Sequence, residues 1–238
     1  MIKFFRKIRQ NLLMENKTGK YFKYAIGEIV LVVIGILIAL QLNNWNDVRK
    51  DRNYEQEILL LINQNLKNDS IALSNELFKA KEANALTDRL IDQVGSGNYG
   101  DSLNIWMGKI ISFEIFRSQS SAFEILKSKG LEVISSKELQ LELISYYDEN
   151  LHYTYEALED VKESFKEDWV PIMKTEFLDY KWREYAKPVD SKAFFEKQLT
   201  LSLFKLYQEN RASGVPYIEG ALEKISRIRE LSKKHMND

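Results

Sequence analysis

The sequence predicts an all-α protein: a single N-terminal transmembrane helix that continues into an elongated exported helical bundle. Three observations lead there. Residues Tyr21 to Trp45, YFKYAIGEIVLVVIGILIALQLNNW, are an aromatic-flanked apolar run behind a basic segment, as membrane spans are. Neither glycine nor proline interrupts Ile36 to Val94, where Tyr54, Ile58, Ile62, Leu66, Leu73, Leu77, Ala80 and Leu90 keep a helical stripe. Two more stripes follow, Leu139, Leu143, Tyr147, Leu151, Leu158, Val161, Phe165 and Trp169, then Ile218, Leu222, Ile225, Ile228 and Leu231.

The span depends on its flanks. Only Ile29 to Leu40 is free of charged and amide side chains, too little for a hydrocarbon core of about 30 Å. Tyr21 to Gly27 and Leu42 to Trp45 extend it to a helix of 25 residues with aromatics at interfacial depth. A cleaved signal peptide would have a shorter basic region and an A-x-A-like site, which Leu37 to Ala39 barely offers. Retention as an anchor is the expectation.

Charge sets the orientation. Lys3, Arg6, Lys7, Arg9, Lys17, Lys20 and Lys23 precede the apolar run, whereas Arg49, Lys50 and Arg52 follow it among Asp47 and Asp51. The bias places the N-terminus in the cytoplasm and the C-terminal part in the periplasm of a bacterial inner membrane. Of 34 basic and 35 acidic residues, seven and two lie at or before Glu28, leaving 27 and 33 beyond it. That acidic excess argues against a nucleic-acid partner. The absence of cysteine fits an exported domain without disulfides. Residues 1–20, with Phe4, Phe5, Ile8, Leu12 and Leu13 against the basic side chains, suggest a cytoplasmic amphipathic helix on the bilayer surface. The span then covers 21–45 and the exported bundle 46–238.

Within the span, Gly27, Leu31, Gly35 and Ala39 recur every four residues, a stripe narrow enough for close approach of another helix. Glu28 lies beside it, where an ionisable group needs a partner or must reach the interface. These five residues are the candidate contact with a second copy or another membrane protein. FFRKIRQNLL, YAIGEIVLVVIGILIALQ and NNWN closely resemble the N-terminus of a large family of Bacteroidota membrane proteins bearing a domain of unknown function, and SAFEILKSKGLEVI, Ser121 to Ile134, is a second matching patch. The resemblance implies an N-terminal anchor with an exported helical domain. It marks Gly27, Glu28, Gly35, Gln41, Asn44 and Trp45 without giving them a role, and it implies no activity.

Beyond the span, an unbroken helix from Trp45 to about Gln93 extends roughly 70 Å at about 1.5 Å per residue, with Asn68, Asp69 and Ser70 best suited to break it. Turn signals fall at Gly95 to Gly100, Gly130, Lys187-Pro188 and Ser213 to Pro216. They separate short helices near Ser102 to Phe113 and Ser121 to Ser128, a long helix to Pro171, and helices near Ser191 to Asn210 and Pro216 to Lys234. Ser135 with Glu138 reads as a capping box for the long helix, and Pro171 as its end or kink.

Catalytic motifs do not cohere. Ser202-Leu203-Phe204-Lys205 and Lys17-Thr18-Gly19 match S-x-x-K and K-T-G. The expected topology puts them on opposite sides of the membrane. Asp148, His152 and Glu156 fall at helical spacing, which a solvated face explains better than a metal site. Asp69-Ser70-Ile71 and Asp101-Ser102-Leu103 match an Asp-Ser-aliphatic glycosylation pattern and read more simply as helix starts. No catalytic residue, metal or cofactor is expected. Tyr180, Trp182 and Tyr185, in a polar stretch before Pro188, are a candidate partner surface. The expectation is a non-enzymatic, membrane-anchored interaction or scaffold protein of the cell envelope. The alternative is an exported ligand-binding sensor or enzyme with a site assembled across helices.

Overall fold

The computed structural model describes residues 18–237; the amphipathic segment expected before them lies outside the described residues. The chain is mostly helical, as expected, and divides into two compact units, residues 1–54 and 55–238. Helix α1 (Thr18–Gly95) supplies the described part of the first unit. Every residue from Ile29 to Asn53 is exposed. From Ala25, α1 is long and apolar enough to cross a membrane.

The second unit contains three long helical rods. One is α1 from Glu55 onward. The middle rod is α4 (Lys137–Ile144), a π turn at Ser145–Asn150, α5 (Leu151–Ser164), a second π turn at Phe165–Trp169 and α6 (Val170–Glu176). The last is α8 (Gln198–Asn237). Shorter pieces are α2 (Ser102–Ile111), α3 (Ser121–Lys129), a 3-10 turn at Leu131–Val133 and α7 (Ser191–Phe195). The expected stripes face inward: Ile58, Ile62, Leu66, Leu139, Leu143, Ile218 and Ile225 share one core cluster. A second gathers Leu90 and Met107 with Trp169, Phe204 and Tyr207.

Several expected boundaries shift, each for a local reason. Asn68 to Ser70 does not break α1, because the buried Asp69 carboxylate is held by donors from elsewhere in the fold instead of competing for its own backbone. Asp69 is therefore no helix start, whereas Asp101 does sit at the N-cap of α2. Ser136, not Ser135, caps α4, accepting the Leu139 N–H. Ser135 instead meets Glu55: its N–H and Oγ lie 2.7 and 3.1 Å from Glu55 Oε1. Pro171 does not end its rod. Val170 N–H reaches back five residues to Phe165 O, and this wider turn absorbs the donor that proline lacks. Ser213 to Pro216 stays inside α8, where the buried Gly214 lies against Ala157 and Pro216 points outward. The helix expected near Ser191 is interrupted after Phe195.

One element was not anticipated. β1 (Phe177–Lys181) and β2 (Tyr185–Pro188) form an antiparallel hairpin, with Tyr180 opposite Ala186, Lys181 opposite Tyr185 and a register irregularity between Phe177 and Asp179. Gly108 lets β2 dock on α2: a Cβ there would lie 2.4 Å from Tyr185 N and 2.5 Å from its Cα. Any larger residue forces the two backbones apart.

Candidate functional site

Between α2 and α3, residues 112–120 cross the bundle without regular structure and tie three parts of the second unit together. At their start, α2 leaves its last carbonyls exposed to capping, as any helix end does. Arg211 of α8, almost wholly buried, donates to Ile110 O at 2.9 Å and Ser112 O at 2.5 Å, while Tyr207 OH donates to Ile111 O at 3.1 Å. The guanidinium lies 4.7 Å from the Tyr207 ring centre, adding a cation–π contact.

Two residues on, Glu114 accepts from Lys79 of α1 and, at 2.6 Å, from Arg183 Nη1. The Lys79 hydrogen bond, followed by that from Arg183, holds the Glu114 carboxyl below its ordinary range despite partial desolvation. Arg183 reaches it from a left-handed turn conformation, φ 64°, between β1 and β2. Beside it, Trp182 presents its ring edgewise to Phe113 at 5.7 Å and Phe165 at 5.3 Å.

The far end of the segment hangs on Asp69. This 1 % exposed carboxylate accepts from Ser118 Oγ, from Gln119 N at 2.9 Å and from Tyr146 OH at 2.9 Å. The π turn at Ser145–Asn150 puts the adjacent Tyr146 and Tyr147 both in the interior. Burial, then the Asp69 charge, push the Tyr146 hydroxyl far above its usual range. Asn68 donates to Gln119 Oε1 at 2.8 Å, and Ser118 N–H donates to Tyr155 OH at 2.9 Å.

Under the segment, Phe113 to Arg117 together with Tyr155, Leu158, Glu159 and Lys162 of α5 enclose a cleft of about 240 Å³. Its floor is apolar, and Glu159 is paired with Lys162. A larger, more open groove of about 530 Å³ between α5 and α8 is lined by Tyr153, Tyr217 and four acidic side chains.

The residues expected from sequence take different places. Tyr180, Trp182 and Tyr185 share the hairpin and are largely committed to packing: Tyr180 meets Trp182 at 5.9 Å and lies against the second core cluster, Trp182 packs on Phe113 and Phe165, and Tyr185 OH donates to Asp179 Oδ2 at 2.6 Å. Trp182 remains 38 % exposed. Gly27, Leu31, Gly35 and Ala39 are exposed on α1, and a Cβ at either glycine would meet nothing within 4 Å. Glu28 is half-buried. Asp148 sits in a π turn and pairs with Lys127 at 2.9 Å, so it leaves the face on which His152 and Glu156 approach to 3.4 Å. Among the described residues no three ligating side chains cluster for a metal ion.

Sequence reasoning missed the Asp69 and Glu114 anchors and a Glu55–Ser135–His235 group. In the last, Glu55 Oε1 at 2.8 Å and Ser135 Oγ at 3.1 Å both approach His235 Nε2. Nucleophilic catalysis needs acid and alcohol on opposite ring nitrogens, so this group fastens the end of α8 and does not form a relay. Its members are 80 and 180 residues apart along the chain from Glu55; no local pattern announces them.

Comparison with known proteins adds one family. The chain matches the Family of unknown function (DUF6090) over residues 28–162, more than half its length, and belongs to it. That region holds the apolar stretch of α1 from Glu28, Asp69, Tyr146 and every residue lining the cleft. No curated protein and no solved structure matches the chain.

Proposed function

We propose, from membership of a family without an assigned activity, that this chain is a non-catalytic, membrane-anchored interaction protein of the bacterial cell envelope. One observation carries the reading. The exposed apolar stretch from Ile29 and the buried stripe from Ile58 belong to one helix, so lipid anchor and domain core share a backbone. An apolar surface with no cover from its own chain is stable in lipid and costly in water. The bias of basic residues before the span supports an N-terminus in the cytoplasm of the inner membrane and residues 46–238 in the periplasm.

The polar interior of the domain supports a holding role. Asp69 accepts from three donors and Glu114 is paired with two cations, arrangements that fix the geometry of residues 112–120. In this reading Gly27, Glu28, Leu31, Gly35 and Ala39 meet a second copy or another membrane protein in the bilayer. Affinity purification of the full chain from membranes in mild detergent tests it. A partner in fixed ratio, or a second copy, is expected to be retained; a chain recovered alone and monomeric overturns it.

The cleft beneath residues 113–117 favours a second reading, in which the exported domain senses a small molecule for its partner.

A further inference from the structure

The 113–117 cleft combines an apolar floor with two uncommitted donors. Phe113, Phe116 and Leu158 supply the floor, with Phe116 7 % exposed. Its acids are already neutralised, Glu114 by Lys79 and Arg183 and Glu159 by Lys162. Arg117, by contrast, is exposed at the rim and has no ion-pair partner among the described residues. Tyr155 adds a second donor. Its oxygen accepts the Ser118 N–H at 2.9 Å, which leaves its own O–H proton without an acceptor among the described residues.

We propose that this cleft binds a small carboxylate with an aromatic or aliphatic tail. Arg117 and the Tyr155 O–H hold the carboxylate, while the tail lies on Phe113, Phe116 and Leu158. A guanidinium and a hydroxyl lining one cleft suit a carboxylate, which accepts on both oxygens. The apolar floor selects against acids that lack a tail. At about 240 Å³ the cleft falls below the roughly 300–1,000 Å³ typical of sites for drug-sized ligands, so its occupant is small. The walls are preorganised: Asp69 fastens the segment at Ser118 and Gln119, and the Lys79–Glu114–Arg183 pairing fastens it at the other end.

The full chain in lipid nanodiscs, titrated with sodium 3-phenylpropionate and read by saturation-transfer NMR against empty nanodiscs, tests the proposal. The neutral alcohol 3-phenylpropan-1-ol serves as the uncharged arm. Saturable binding of the acid is expected, about tenfold tighter than that of the alcohol. Arg117→Gln should abolish that preference while leaving the alcohol unchanged, and Tyr155→Phe should reduce it. Lys187→Gln, which removes a positive charge outside the cleft, should do neither. No saturable signal from the acid, or equal weakening by Arg117→Gln and Lys187→Gln, overturns the site. Neither result touches the anchoring role, which is read from what co-purifies.

Discussion

Asp69 shows how one side chain can organise a segment far away in sequence. A carboxylate 1 % exposed in mid-helix would be costly alone, but three donors drawn from residues 118, 119 and 146 compensate its desolvation. Asp69→Ala should therefore destabilise the domain by about 3 kcal/mol, since it leaves the buried Tyr146 hydroxyl and the part-buried Ser118 hydroxyl and Gln119 N–H unpaired. Asp69→Asn should cost nearer 1 kcal/mol, because Ser118 and Tyr146 hydroxyls can rotate to accept from the new amide. Thermal and urea unfolding in detergent check this; equal losses in the two variants would mean that packing, not hydrogen bonding, holds the segment. Glu76 behaves oppositely. Desolvation raises its carboxyl above the ordinary 4.5, and attraction to Arg211 only partly offsets that. A carboxyl raised in the folded state holds its proton more tightly there, so its contribution is fully present below about pH 4.5 and is lost as pH rises through the folded value. Glu76→Gln, neutral throughout, should raise the Tm at pH 8, and the gain should shrink toward pH 4.5. A lower Tm at pH 8 but not at pH 4.5 would show that Arg211 needs the charge.

At the scale of elements, α8 carries a proline that the sequence reads as the start of a new helix after a turn at Ser213 to Pro216. Pro216 has no N–H for the carbonyl four residues back, yet the helix runs from Gln198 to Asn237 because the buried Ile218, Ala221, Ile225 and Ile228 hold it against the other rods. Since Pro216 is exposed, Pro216→Ala restores the donor without emptying the core. It should stabilise the domain by about 1–3 kcal/mol in the same unfolding measurements. An unchanged or lowered midpoint would mean the rod is already relaxed around the ring. The contrast marks what sequence makes legible. Apolar stripes such as Ile58, Ile62 and Leu66 or Leu139 and Leu143 name buried faces correctly, because burial repeats with the helix. Gly95 to Gly100 and Gly130 name real turns, Gly97 at φ 74° and Gly130 at φ 108°. The turn expected at Ser213 to Pro216 does not form, because tertiary packing overrides local preference, and Pro171 follows a π turn without ending its rod. The hairpin left a trace in Phe177 to Lys181 and Tyr185 to Pro188, short runs with spaced aromatics around Trp182-Arg183-Glu184, which a reading tuned to helical periods passes over. Gly108 against Tyr185 and Asp69 against Ser118 join residues dozens of positions apart, and no local pattern encodes such pairs.

On the proposed reading, in which α1 spans the bilayer, the question for the whole molecule is what its exposed face meets there. Among the described residues Gly27 and Gly35 each have open space where a Cβ would stand, so no packing there requires glycine at either position. In the proposed reading the small residues instead serve another helix approaching closely. In lipid, acyl tails solvate leucine as well as a neighbouring helix does, so enlarging Gly35 removes contact without a hydrophobic gain to mask it. Gly35→Leu should therefore leave membrane insertion intact and sharply reduce crosslinking to the partner in intact membranes. Glu28→Gln separates packing from polarity: polar contacts between membrane helices are worth about 1–2 kcal/mol, so it should weaken crosslinking less than Gly35→Leu if packing dominates and more if an ion pair does. Val32→Leu, one residue beyond Leu31 around the helix, is the control and should crosslink like the parent chain. If all four chains give one crosslinking pattern, the small residues are merely tolerated, and association belongs to the domain beyond Glu55.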